Sequence, residues 1–159
     1  YKPSVARWNM ATGEINPMPY EYPDLKKVRF IYAASAEHQL YVQCYTQYDL
    51  MTICDFNGNL KCNIYGPKWV NEKTQTQHYS LGVEFCGDKI LALYSGGDHR
   101  TDAYYPTKFL VFDLNGNYLK TLETGYMITD FCYDKENNRL IINLNDEIQF
   151  AYLDLEGII

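Results

Sequence analysis

Residues 112–125 read FDLNGNYLKTLETG, residues 54–66 read CDFNGNLKCNIYG, and residues 153–159 read LDLEGII. All three carry one phrase at Asp55, Asp113 and Asp154: an Asp, a hydrophobic residue, a polar residue and a Gly. An apolar run on each side of such a phrase signals a β-hairpin. The Asp accepts hydrogen bonds from the backbone ahead of it, and the Gly takes a left-handed conformation that residues with a Cβ avoid. LMTICDFNGNLKCNIY (50–65) and KFLVFDLNGNYLKTLE (108–123) are full copies, QFAYLDLEGII (149–159) is a truncated one, and ARWNMATGEI (6–15) is a weaker one with Gly13 in the glycine place.

A second phrase lies between these hairpins. GVEFCGDKILALY (82–94) matches ITDFCYDKENNRLIINL (128–144), and VRFIYAASAEHQLYVQCY (28–45) is a looser copy with Ala33 where the others have Cys86 and Cys132. The two phrases alternate, so each unit reads as four strands with a variable loop in the middle. Four antiparallel strands per unit of about 40 to 50 residues is the pattern of a β-propeller blade. KILALY and RLIINL carry apolar residues on both faces, as strands between two covered faces do, whereas LKCNIY sets Leu60, Cys62 and Ile64 against Lys61, Asn63 and Tyr65, as an outer strand with one wet face does. A β-sandwich explains the many strands and tight turns equally well, but not two phrases alternating in fixed order. The expected fold is all-β: a leading half blade at 1–24, blades at 25–67 and 78–124, and an incomplete blade at 125–159.

Composition narrows the function classes. The chain has 159 residues, 47% apolar and 21% charged, with sixteen Tyr and a net charge of −6. No basic face is encoded, which argues against nucleic-acid binding. No apolar run reaches the length of a membrane span. Five cysteines without a CxxC or a Cys/His cluster indicate neither a structural zinc nor a complete disulfide framework.

FDLNGNYLKTLETGYMITDFCYDKENNRLIINL (112–144) resembles the six-bladed, TolB-like propellers of Bacteroides-type envelope proteins, in which a DxxG turn, a short outer strand and a hydrophobic-x-Asp-hydrophobic-x-Tyr-Asp phrase recur from blade to blade. The resemblance covers about residues 25–159, and its motifs specify turns rather than chemistry. It implies a periplasmic or outer-membrane-associated setting. It also implies that only about half of a ring is present, so that the chain is a fragment or two copies complete one ring. Trp-Asp, Tyr-Trp-Thr-Asp and kelch signatures are missing.

In such a fold the loops inside and between blades open on one end, and the tight turns on the other. Here the first set is long: PMPYEYPDLKK (17–27), YTQYD (45–49), GPKWVNEKTQTQHYS (66–80) and SGGDHRTDAYYPT (95–107). Long loops on one side of a rigid scaffold are where binding resides. The candidate ligand-binding residues are Tyr48, Asp49, Trp69, His78, Tyr79, Asp98, His99, Arg100, Asp102 and Tyr104. In the 95–107 loop, Arg100 and the carboxylates suit a polar ligand with tyrosines stacking on it, although a solvated loop with locally paired charges fits the same residues. Trp69 either lines a pocket or packs beneath its own loop.

The histidines are His38, His78 and His99, and none has metal spacing with another. Asp49, Asp98 and Asp102 have no EF-hand pattern, and neither Ser80 nor Ser95 lies in a nucleophile elbow. No cofactor or metal is indicated. The expected function is non-enzymatic binding of a small molecule, glycan or protein. The alternative, a metal-dependent hydrolase or lactonase, rests on analogy with other six-bladed propellers. Cys86 and Cys132 are expected at equivalent first-strand ends, both buried and unpaired. The apolar broad face of the last blade is expected to drive self-association.

Overall fold

The computed structural model describes residues 6–18, 25 and 28–159, so most of the 17–27 loop and much of the leading half blade lie outside the described residues. The described chain folds as four antiparallel sheets in sequence order. A hairpin of β1 (Ala6–Trp8) and β2 (Ile15–Pro17) comes first. A four-stranded sheet follows, of β3 (Phe30–Ser35), β4 (Leu40–Tyr45), β5 (Leu50–Asp55) and β6 (Leu60–Tyr65). The next holds β7 (Thr76–Cys86), β8 (Lys89–Asp98), β9 (Lys108–Asp113) and β10 (Tyr118–Glu123). The last has three strands, β11 (Ile128–Asp134), β12 (Arg139–Leu144) and β13 (Phe150–Asp154). Apart from one short 3-10 turn at Asp102–Tyr104, the described residues contain no helix.

The repeated Asp phrase builds its turn in the same way twice. Asp55 Oδ1 accepts from the Asn57 and Asn59 amides at 2.8 and 2.9 Å, and the Gly58 amide donates to the Asp55 carbonyl at 3.0 Å. At Asp113 the matching distances, to Asn115, Asn117 and Gly116, are 2.9, 2.8 and 3.0 Å. These bonds favour the ionised form, and the Asn59 and Asn117 side chains do most to hold both carboxyls below the ordinary Asp range. The third copy keeps the left-handed glycine, Gly157 at φ 71°, but its turn closes from the Leu155 carbonyl to the Ile158 amide at 2.9 Å. The weaker copy folds too: Asn9 Oδ1 accepts from Ala11 at 3.0 Å, and Gly13 has φ 77°.

Gly116 illustrates why the glycine is needed. Its φ is 86°, and a Cβ there lies 2.8 Å from both Cys62 Sγ and Ile64 Cδ1 of the neighbouring sheet. Gly116→Val is therefore expected to lower stability by more than about 1 kcal/mol, through left-handed strain and the clash together. Urea denaturation of both proteins checks this, and an unchanged midpoint would count against it.

The last three sheets stack broad face on broad face, with β3 beside β7 and β7 beside β11. Val42, Cys44, Met51 and Ile53 meet Val83, Ile90, Ala92 and Phe112 in one core. On the far side of the same sheet, Leu91, Leu93, Phe109 and Val111 meet Phe131, Leu140, Ile142 and Leu144 in a second. Phe109 and Phe131 are edge to face at 4.9 Å. This is why β8 is buried from Ile90 to Tyr94 on both faces. β12 is not: its burial alternates, because no described residues cover the outer face of the last sheet as a further sheet would. β6, an edge strand, exposes Lys61 and Tyr65 at its wet face, while Asn63 between them is half-buried.

The two matching cysteines do not share an environment. Cys86 is 4% exposed at the end of β7, opposite Lys89 across a two-residue turn, and burial pushes its thiol up to about 12. Cys132 is exposed and sits two residues short of the end of β11, opposite Ile141. The β11–β12 turn is two residues longer than the β7–β8 turn, so by register Cys132 corresponds to Glu84. Its side chain lies on the uncovered outer face. The expectation that both are buried is corrected on this point; the two are not paired with each other, and all five cysteines are free.

Candidate functional site

The two ends of the stacked sheets differ. One end carries the tight turns, tied together by His38 Nε2 to the Gly87 carbonyl at 2.8 Å and by the Lys135–Glu37 ion pair at 2.7 Å. The other end carries the 46–49, 66–75, 99–107, 124–127 and 145–149 connections. Strand pairing runs further here than the sequence suggests. β7 starts at Thr76 and β8 reaches Asp98, so His78, Tyr79 and Ser80 are strand residues rather than loop residues. A bulge with Leu81 at φ 67° absorbs the irregular register between Tyr79 and Val83.

Three backbone bonds sew the first long loops together. The His78 amide donates to the Thr46 carbonyl at 2.8 Å, the Thr74 amide to the Gln47 carbonyl at 3.2 Å, and the Gly66 amide to the Asp49 carbonyl at 2.8 Å. At their centre lie Asp49 and His78, each 1% exposed, with Oδ1 and Nδ1 3.8 Å apart. Asp49 Oδ2 accepts from the Lys68 amide at 2.9 Å. Asp49 Oδ1 accepts no hydrogen bond among the described residues. His78 Nδ1 lies 3.3 Å from the Tyr94 hydroxyl, and its Nε2 lies 3.4 Å from Thr74 Oγ1. Burial holds the His78 imidazole below its ordinary pKa, the Asp49 charge pulls the other way, and Lys68 adds to the depression. Burial and then the Asp49 charge push the Tyr94 phenol far up. Gly66 is a close-approach residue: a Cβ there would stand 2.2 Å from Asp49 Cγ and Oδ1.

Above this cluster, a cleft of about 510 Å³ opens between the two four-stranded sheets. Asp49, Tyr79 and Tyr94 belong to its lining, with Tyr65, Lys68, Lys108 and Tyr118 among the other members. Its volume falls within the range of small-molecule sites. Lys108 Nζ sits 5.9 Å from the Tyr94 ring centre and 3.9 Å from Glu123.

The ten candidate residues thus separate. Asp49, His78 and Tyr79 come together at or beneath the cleft. Tyr48 is buried, and Trp69 packs against it at 6.2 Å and against Tyr65 at 4.8 Å, within a small core that includes Tyr45 and Leu50. Asp98, His99, Arg100, Asp102 and Tyr104 sit on the 98–107 arm. There Arg100 binds Asp98 through Nε at 3.0 Å and Nη2 at 2.6 Å, a local pairing that holds the Asp98 carboxyl far below its ordinary range. His99 Nδ1 lies 2.9 Å from the Gln75 carbonyl, and Tyr104 stacks on Tyr105 at 4.2 Å. Sequence reasoning missed Lys68, Tyr94, Lys108 and Tyr118. Tyr94 and Lys108 face each other across β8 and β9, a pairing no spacing rule reveals. Elsewhere, Glu84 on β7 is held above the ordinary carboxyl range by burial and by Asp130 on the adjacent first strand. Among the described residues, no three His, Cys, Asp or Glu side chains gather as a metal-holding group.

The fold defines the chain as β-propeller blades: four-stranded antiparallel sheets stacked about their first strands. Solved structures agree at the level of fold. A chain of hydrazine synthase from Kuenenia stuttgartiensis superposes with a TM-score of 0.63 at 12% identity, over 97% of this chain and 40% of that one. A chain of a nidogen–laminin complex gives 0.62 at 12% identity, over 96% of this chain and 52% of that one. The chain therefore spans about two fifths and about half the length of these neighbours. No family model matches it, and no curated protein matches it in sequence.

Proposed function

We propose that this chain is a non-enzymatic binding domain that holds its ligand in the cleft at its long-loop end. The observation that carries the reading is Asp49. A carboxylate 1% exposed, with one oxygen lacking any described hydrogen bond, lines an open cleft rather than a sealed core. A buried acceptor left unpaired is costly, and functional sites are where such a cost is kept. The frame beneath it is paired β-strand, which suits a preformed pocket. The sequence resemblance supports the finer reading: part of a six-bladed, TolB-like ring in the periplasm or at the outer membrane, associating through the outer face of β11–β13.

Probing glycan and peptide arrays with the chain tests the cleft. Capture is expected to fall at least about tenfold on Tyr65→Ala or Lys68→Ala, the loss of one central contact. It is expected to survive Glu37→Ala at the opposite end. Capture that ignores the cleft variants but fails with Glu37→Ala would overturn the assignment.

A further inference from the structure

The charges of the cleft are unlike those of the chain. The net charge is −6, yet the ionisable side chains lining the cleft other than tyrosines are Asp49, Lys68 and Lys108. Asp49 is buried, while Lys68 is exposed and Lys108 half-buried. Lys68 has no ion pair among the described residues, and Lys108 meets Glu123 only at 3.9 Å. Both ammonium groups stand beside Tyr94: Lys108 over its ring, and Lys68 against Gly96, whose Cβ position lies 3.1 Å from Tyr94 Cε1. Two weakly paired cations around one ring make a seat for an anion. The Lys68 amide bond to Asp49 fixes the backbone from which one of them reaches out.

The walls narrow the kind of anion. Tyr65 and Tyr118 are 50% and 56% exposed at the cleft. Tyrosine faces at that exposure suit the C–H face of a sugar ring, with hydroxyls at their edges for its polar rim. The Tyr118 hydroxyl already pairs with Thr121 Oγ1 at 2.8 Å, which fixes its ring. The cleft lining has no arginine and thus no planar fork for a phosphate. Lysines as point charges match a single carboxylate. Asp49, 1% exposed, lies beneath Tyr94 at the floor of the cleft.

We infer that the cleft takes a carboxylate-bearing pyranose, a hexuronate unit, free or within a polysaccharide. Its carboxylate sits between Lys68 and Lys108, and its ring lies against Tyr65 or Tyr118. This inference rests on the cleft being the binding site.

Titration calorimetry on the whole chain with sodium methyl β-glucuronide, its methyl ester and methyl β-glucoside separates the two ideas. The acid is expected to bind, the ester and the glucoside at least about tenfold more weakly, and added salt to weaken the acid alone. Lys68→Met and Lys108→Met are each expected to cost about tenfold for the acid and nothing for the uncharged sugars. A uronate-containing oligosaccharide that binds tighter than the monosaccharide identifies a polysaccharide source; equal affinity identifies the free sugar. No heat with the acid, or equal binding of acid and ester, overturns the inference. If uncharged sugars or peptides then bind and Tyr65→Ala abolishes that binding, the cleft stands as the site and only the ligand class falls.

Discussion

Asp49→Ala is expected to destabilise the chain by about 3 kcal/mol, more than any turn substitution considered above. The change removes the acceptor of the Lys68 amide and empties a space that Gly66 was shaped to leave. It also leaves His78 and Tyr94 buried without the carboxylate beside them. Deleting one member of a buried polar group costs more than the group adds, since the remaining partners keep their desolvation penalty. Asp49→Asn keeps the shape and the Lys68 bond, so it is expected to cost less than half as much. Equal losses for the two variants, measured by urea denaturation, would show that the cluster contributes only volume.

The same cluster sets a pH dependence with a defined sign. The folded pKa of His78 lies below 6.5, mainly through burial. The unfolded chain therefore takes up this proton first. The His78 contribution is complete above about pH 6.5 and declines as the pH falls toward the folded pKa, at no more than about 1.4 kcal/mol per pH unit. Asp49 is the neighbour that raises this pKa, so Asp49→Asn is expected to shift the imidazole titration, followed by NMR, still lower. A second acid loss belongs to the half-buried carboxylates with lowered pKa values, at Asp55, Asp98, Asp113 and Asp134, and begins only below about pH 4. His78→Gln is expected to remove the first loss and leave the second.

Turn chemistry made the fold legible. The bonds that Asp55 and Asp113 accept are local, and the left-handed positions that follow favour glycine over any residue with a Cβ, so short phrases reported their own geometry. The order of the phrases then gave the stacking. The site was legible only in part, because it depends on register. Asp49, His78 and Tyr79 were visible as polar or aromatic residues near a long loop, but Tyr94 and Lys108 sit inside runs that read as ordinary strand. Asp98 and Arg100 fitted a ligand site and a locally paired loop alike, and only the folded arm shows that Arg100 turns back onto the Asp98 carboxylate. The cysteine error had the same origin: matching letters at 86 and 132 concealed a two-residue difference in turn length, which moved Cys132 onto the outer face.

That outer face carries the last prediction, that two copies of the chain associate through it. Cys132, Ile141, Asn143, Phe150 and Tyr152 share it by register. Phe150 and Tyr152 are 68% and 63% exposed. The residues in the same places one sheet earlier, Leu91, Leu93, Phe109 and Val111, are buried beneath the last sheet. A broad apolar face is thus covered wherever a sheet follows and bare where none does, and bare faces of this kind drive association. The surface offered to it is the opposite broad face of the first four-stranded sheet, where Phe30, Tyr32, Ala34 and Tyr41, together with Ala6, Arg7 and Met18 of the leading segment, line an apolar hollow of about 420 Å³ and Tyr32 is 72% exposed. Each copy then offers the outer face of its last sheet to the inner face of the partner's first, and two such contacts close a ring with two-fold symmetry. Sedimentation at high concentration is expected to give twice 18.6 kDa, and Ile141→Asp with Phe150→Asp to return the chain to 18.6 kDa. Cys132 supplies an independent readout, because it is the exposed cysteine and lies on this face. Thiol labelling at Cys132 is expected to be fast in dilute protein, to slow as concentration rises, and to stay fast at every concentration in the double variant. A well-folded monomer at high concentration whose Cys132 labels at one constant rate would show that the face stays open.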